Sequence, residues 1–246
     1  MAPSGAIFLT VQEVCLTMAS NRIFLWDLPT RLFHWALVLC IVGAVTTAQI
    51  GGNYMVWHGR FGLAVVGLIT FRLVWGLVGS TYARFGQFFP TPSKLSAYLK
   101  GRWQGHGHNP LGAFSVFGLL ALLAFQAGSG LFANDDIAFN GPLLALVGKD
   151  FSDTLTGWHR QSSDVLIALV VLHIGAIVFY VRVKKERLVK PMFTGWKENA
   201  QGESAQGGGR LALVVALIIA AAAVYGAGGT WLAPPPTPAT GQTPNF

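Results

Sequence analysis

Residues 155–183 read LTGWHRQSSDVLIALVVLHIGAIVFYVRV. From Val165 onward the stretch is continuously apolar, as a bilayer-spanning helix of about 20 residues must be. It carries two histidines, His159 and His173, 14 residues apart. On a helix that spacing is about 21 Å of rise, and at about 100° per residue it falls within roughly 40° of whole turns. Both rings therefore point to one face at two depths. Ionisable side chains inside a membrane are costly and mark function by default.

Four other stretches have the same apolar character: residues 32–50, 55–79, 110–133 and 211–232. Arg60 and Arg72 interrupt the second, and the last is the most purely aliphatic. The composition agrees. Of 246 residues, 52% are apolar and only 11% charged, against about 25% charged in soluble domains. The mean hydropathy is +0.51. There is too little charge to cover a water-facing surface, so lipid is the expected surrounding. The net charge of +7 does not imply nucleic acid, because no basic face is interleaved with stacking aromatics.

The loops set an orientation. Arg22, Arg31, Arg84, Lys94, Lys100, Arg102, Arg182, Lys184, Lys185, Arg187, Lys190, Lys197 and Arg210 fall on one side, 13 of the 17 basic residues. The other side has an uncharged turn at 49–54 and an acidic loop with Asp135, Asp136, Asp150 and Asp153. Excess Lys and Arg mark the cytoplasmic face. The expectation is an inner-membrane protein with a cytoplasmic N-terminus and a periplasmic C-terminus.

The remaining expectations follow the composition along the chain. Residues 1–22 read as a disordered extension, with Met18 as an alternative start. Residues 23–198 form a four-helix unit, and 199–210, rich in Gly, Gln and Ser, a flexible linker. Residues 211–232 form a fifth transmembrane helix outside the bundle, and 233–246 a disordered external tail. The fold class is an all-α membrane protein. The two cysteines, Cys15 and Cys40, form no C-x-x-C or C-x-x-C-H arrangement. That removes covalent haem attachment, iron–sulfur ligation and thioredoxin-type chemistry.

His34 lies in the first span and His58 in the second. One membrane histidine is readily explained as an interhelical hydrogen bond; four need another account. The first helix runs outward, so His34 is near the cytoplasmic side. The second runs inward, so His58 is near the external side. His34 then pairs with His173, and His58 with His159. Zinc or copper would want three or four ligands, and no acid or cysteine lies nearby on the helices. Two histidines at each of two depths suit two non-covalent b haems, whose macrocycles supply the other ligands.

Arg72 lies 14 residues after His58, on the same face at the other depth. A haem propionate is a natural partner for it. Arg60 can pair with the external haem or snorkel to the interface. His108, in Gly105-His106-Gly107-His108-Asn109-Pro110, is placed to sit over the cytoplasmic haem or near a quinone. His106 reads as a solvated loop histidine. The glycines of the second and third spans, Gly59, Gly62, Gly67, Gly118, Gly128 and Gly130, suit close helix packing or porphyrin approach.

Leu25-Trp26-Asp27-Leu28-Pro29-Thr30-Arg31-Leu32-Phe33-His34-Trp35 resembles the opening of bacterial cytochrome b561 proteins and of the b-type cytochrome subunits of nickel–iron hydrogenases. Phe71-Arg72-Leu73-Val74-Trp75-Gly76-Leu77-Val78-Gly79-Ser80, Gly107-His108-Asn109-Pro110-Leu111-Gly112, Val171-Leu172-His173 and Glu186-Arg187-Leu188-Val189-Lys190-Pro191-Met192-Phe193-Thr194-Gly195 are similar to later motifs of the family. The resemblance covers residues 23–198. It implies two b haems on these four histidines and electron exchange between quinone and a redox partner. Arg160 departs from it, since the family often has an acid directly after that histidine.

The expected function is transmembrane electron transfer between the quinone pool and a partner. The partner is a c-type cytochrome or a hydrogenase or dehydrogenase subunit, with a homodimer as an option. Superoxide oxidation at the external haem is a variant. A small metal transporter would need acidic or sulfur ligands within the helices, and a purely structural anchor leaves four histidines unexplained.

Overall fold

Asp27 starts the first membrane helix. Its Oδ1 accepts the Thr30 backbone N–H at 2.8 Å, which satisfies one of the donors left open at a helix start. Its Oδ2 accepts the Trp75 indole N–H at 2.9 Å. The helix therefore begins at Leu28, before the apolar pattern does. The computed structural model describes residues 22–137, 139–200 and 202–232. The expected extension before Arg22, with Cys15 and Met18, and the expected tail from Ala233 lie outside the described residues.

The chain enters as strand β1 (Arg22–Phe24) and continues as helix α1 (Leu28–Ile50) and α2 (Met55–Val78). Two short helices follow, α3 (Phe85–Phe88) and α4 (Pro92–Leu99). Thr91 caps α4 by accepting from Lys94 N at 3.3 Å. Asn109 caps α5 (Pro110–Gly130) by accepting from Gly112 N at 2.7 Å. Helix α6 (Lys149–Arg182) is 34 residues long and starts six residues before the predicted span. Its polar first turns are held by the i,i+4 pair of Lys149 and Asp153 at 2.9 Å. Then come α7 (Val189–Thr194), strand β2 (Trp196–Glu198) and α8 (Arg210–Ala227). Helix α8 stops short of the predicted 232; the turn beyond it contains Gly229 at φ +66°, a conformation glycine adopts without strain.

The five long helices, α1, α2, α5, α6 and α8, are each long and apolar enough to cross a membrane. Even the shortest, 18 residues, spans about 27 Å. In α6 only 6% of the most apolar window is buried within the protein. Val171, Leu172 and Val178 are more than half exposed, a surface that lipid covers without cost.

Packing divides the described chain into two compact units. One comprises residues 22–35, 75–118 and 170–213. The other comprises 36–74, 119–169 and 214–232. Each long helix gives a segment to each unit.

The first unit has an element absent from the all-α expectation. Strands β1 and β2 pair antiparallel, with Arg22 opposite Glu198, Ile23 opposite Lys197 and Phe24 opposite Trp196. Gly195, at φ +85°, turns the chain from α7 into β2, and its carbonyl accepts from Leu25 N at 2.7 Å. Ile23, Leu25 and Trp26 form a buried cluster against Tyr82 and Met192.

The segment expected as a linker makes defined contacts in this unit. Ala205 N donates to Phe24 O at 2.7 Å, and Thr81 N to Gln206 O at 2.8 Å. Phe24 N donates to Ser204 Oγ at 3.0 Å, and the Tyr82 hydroxyl to Glu203 O at 2.7 Å. Main-chain groups at a strand edge need partners, and this Gly- and Ser-containing segment supplies them. It is a strap laid along the unit.

In the second unit, helix α8 packs on α2. A Cβ built on Gly67 would meet Val224 at 2.7 Å, and Ala216 and Ala220 are buried. Small residues admit close helix approach. The loop after α5 folds back on itself: Gly141 N donates to Ala133 O at 2.7 Å and Leu143 N to Leu131 O at 2.9 Å.

Candidate functional site

The second unit brings His58 of α2 and His159 of α6 together, edge to face. Their ring centroids are 5.9 Å apart with perpendicular planes. His58 Nδ1 lies 2.9 Å from Ala44 O, and His159 Nδ1 lies 2.9 Å from Gln126 O. A carbonyl oxygen only accepts, so both Nδ1 atoms carry the proton. Both Nε2 atoms are then unprotonated, the form in which imidazole binds a metal; that of His159 accepts from the Gln126 amide nitrogen at 3.2 Å.

Close backbone approach helps to make this arrangement. A Cβ on Gly130 would fall 2.8 Å from His159 Cε1. Gln126 surrounds the same residue: its side-chain Nε2 donates to His159 O at 3.0 Å and lies 3.2 Å from His159 Nε2. Its Oε1 accepts from the Ser162 hydroxyl. Ser129 Oγ donates to Gln126 O at 3.1 Å and is 3.3 Å from His159 Nδ1. Above His58 sits Phe139, edge-on at 6.3 Å. Asp135 Oδ1 holds its loop by accepting from Ile137 N at 2.9 Å and Phe139 N at 2.8 Å.

The first unit holds the other two histidines. His34 of α1 and His173 of α6 lie within electrostatic reach of each other. His34 stands edge-on to Trp35 at 5.0 Å, and its Nδ1 is buried without a hydrogen-bond partner. A buried polar atom in that state is unusual and calls for an explanation. His173 Nδ1 has the Ser115 hydroxyl at 3.4 Å. Trp35 is fixed in turn by donating to Met192 O at 3.1 Å and stacking on Phe193 at 4.5 Å.

The donor set fits haem. Among the described residues, no three His, Cys, Asp or Glu side chains converge as a metal cluster. Pairs of imidazoles leave a metal's equatorial positions to a macrocycle. His58 and His159, with ring centroids 5.9 Å apart, would be one such pair.

The other expected residues divide. Arg72 is buried, at 3% exposure, and packs with the unit that holds His58 and His159. Arg60 is exposed and lies over the Trp57 ring, 4.7 Å from its centroid. That is a cation–π contact at the protein surface. His108 stands between Trp26 at 4.7 Å and Phe88 at 4.5 Å. It lines a cavity of about 290 Å3 with Tyr82, Lys94, Trp103 and His106.

Sequence reasoning missed Gln126, Ser129 and Ser162. A signal existed: a glutamine and a serine inside the apolar span 110–133 carry a desolvation cost that only partners offset. It also missed Asp27 as the group joining α1 to Trp75.

The chain is similar in sequence to known membrane cytochromes. A family model described as prokaryotic cytochrome b561 matches residues 25–195. A protein of Azotobacter vinelandii named "Probable Ni/Fe-hydrogenase B-type cytochrome subunit" is 25% identical, covering 72% of this chain and 89% of its own. An Escherichia coli K12 protein named "Probable Ni/Fe-hydrogenase 1 B-type cytochrome subunit" is 21% identical, covering 73% and 92%. No solved structure matches.

Proposed function

The chain belongs to the prokaryotic cytochrome b561 family, and from that premise we propose that it carries electrons through two b haems, one held by His34 and His173 and one by His58 and His159. It is a multi-pass membrane protein of electron transport, with five spanning helices. The observation that carries the two-haem reading is the His58–His159 pair, with ring centroids 5.9 Å apart in an edge-to-face arrangement and both Nδ1 atoms committed to carbonyls. The orphaned Nδ1 of His34 beside His173 supports the second centre.

When bound, each haem supplies a one-electron carrier whose potential depends on its axial ligands and surroundings. The protein holds the rings, keeps water away and places charge. We assign Arg72 to a propionate, because a buried guanidinium is stabilised by an anionic partner. The hydrogenase-subunit name of the relatives supports a hydrogenase-type electron donor, with membrane quinone as acceptor. The basic loops support an inner-membrane orientation with the N-terminus cytoplasmic.

The test is a redox titration with a pyridine haemochrome count on the purified protein. Two protohaems per chain are expected. His34→Ala and His173→Ala should remove one component, and His58→Ala and His159→Ala the other. One haem per chain, or loss of the same component in His34→Ala and His159→Ala, refutes the assignment.

A further inference from the structure

Gln126 is a polar side chain inside the apolar helix α5, and its hydrogen-bonding groups converge on one turn of α6. The backbone carbonyl accepts from His159 Nδ1 at 2.9 Å. The side-chain amide donates to His159 O at 3.0 Å, also reaches His159 Nε2 at 3.2 Å, a contact that the bound iron would replace, and accepts from the Ser162 hydroxyl. Ser129 adds a hydroxyl to the same carbonyl at 3.1 Å. His58 has the equivalent partner in Ala44 O at 2.9 Å.

The other pair is treated differently. His34 Nδ1 is buried without a partner. His173 Nδ1 has only the Ser115 hydroxyl at 3.4 Å, beyond the usual range of an O–H or N–H bond. The two centres share ligand type and differ in what stands behind the ligands.

We propose that Gln126 is a positioning residue for His159, and that this hydrogen bonding makes the His58–His159 haem the lower-potential of the two. The inference rests on the ligand assignment above. An imidazole that donates its second N–H to a carbonyl is fixed in tautomer and ring plane and is the more basic ligand. A more basic axial ligand favours the oxidised iron and lowers the potential. The low local dielectric strengthens the effect. Both rings of the His58–His159 pair have this support; the other pair lacks it.

Potentiometric titration of the holoprotein, with electron paramagnetic resonance of its low-spin signals, tests this. The lower-potential component should be the one that His58→Ala removes. Gln126→Leu keeps the backbone carbonyl but removes the side-chain contacts to His159 O and Ser162 that hold that carbonyl in line with Nδ1; it should raise that component by roughly tenfold in its reduced-to-oxidised ratio at fixed poise, about 59 mV for one electron, and leave the other in place. Ser162→Ala, which frees the Gln126 amide, should move it in the same direction by less. A purely packing role would lower thermal stability without moving either potential or signal. Both potentials unchanged in Gln126→Leu and Ser162→Ala, with two haems present, overturns the proposal, as does a shift confined to the His34–His173 component. If Gln126→Leu loses its haem, Ser162→Ala decides by the same criterion. Two full haems in His159→Ala would instead overturn the ligand assignment.

Discussion

Gly130→Ala places a methyl group where the structure has no room. The added Cβ would lie 2.8 Å from His159 Cε1 and 3.1 Å from Nδ1. Ordinary contact begins near 3.4 Å, so the ring must retreat by about half an ångström or more. It cannot do so freely, because its Nδ1 is held by Gln126 O at 2.9 Å. Overpacking of this kind costs about 1–3 kcal/mol. The opposing gain, alanine over glycine in helix propensity, is at most about 1 kcal/mol, and Gly130 is the last residue of α5, where the gain is smaller. The steric term wins. At about 1.4 kcal/mol per decade, affinity for the haem at this centre should fall roughly fivefold to a hundredfold. The assay is haem titration into apoprotein, followed by a redox titration of the loaded protein. Gly118→Ala is the control: nothing lies within 4 Å of its Cβ, so haem content should be unchanged. If Gly130→Ala binds two haems with wild-type affinity and unshifted potentials, the close approach of α5 to His159 is not what shapes this centre.

Asp27→Ala removes the cap at Thr30 and strands the Trp75 indole, which is 1% exposed. A lost cap costs about 1 kcal/mol and an unsatisfied buried donor about 1–3 kcal/mol, so thermal unfolding in detergent should begin well below wild type. Lys190 and Arg187 hold the Glu198 carboxyl below the usual carboxylate range. Its depressed folded value means the contribution is present above the unfolded value near 4.5 and is lost as pH falls through the folded value. Hydrogen-exchange protection at β1 and β2, taken relative to the intrinsic rate at each pH, should therefore fall in acid, and Glu198→Gln should abolish that dependence; the pair is exposed, so added salt should weaken it. A chain ending at Glu198 keeps all four histidines and should keep both haems. It should melt earlier, because Phe24, Thr81 and Tyr82 lose their partners at Glu203, Ser204, Ala205 and Gln206; loss of a haem from inserted protein would show that α8 is part of the core.

The spans were legible because about 20 apolar residues have few other uses. All five are present in the structure, with ends shifted by local chemistry. Asp27 moved the first start to Leu28, and the polar turn around Lys149 moved the fourth start to Lys149. Helix direction and rise predict the grouping of His34 with His173 and His58 with His159, and each of these pairs lies within one packed unit. The strap was not legible. Gly, Ser and Gln at 199–209 carry no signal of which main-chain edge they will meet, and that edge belongs to residues 22–24 and 79–82. Gln126 was hidden for a different reason. Two of its three contacts to His159 run through backbone atoms, which side-chain spacing does not encode.

The strap also bears on how the protein is made. Phe24 and Ser204 meet across 180 residues of chain, and the ribbon pairs Arg22 with Glu198. The first strand to leave the ribosome must therefore wait, with its edge open, until four helices have been inserted and the residues after them synthesised. Closing so long a loop is slow. The ribbon can form only if both ends emerge on the same side of the membrane. A helix inserted the wrong way round would leave β1 and the strap on opposite faces, and the ribbon would never zip. The two short strands thus act as a completion check on topology, sealed by the last segment translated before the final helix.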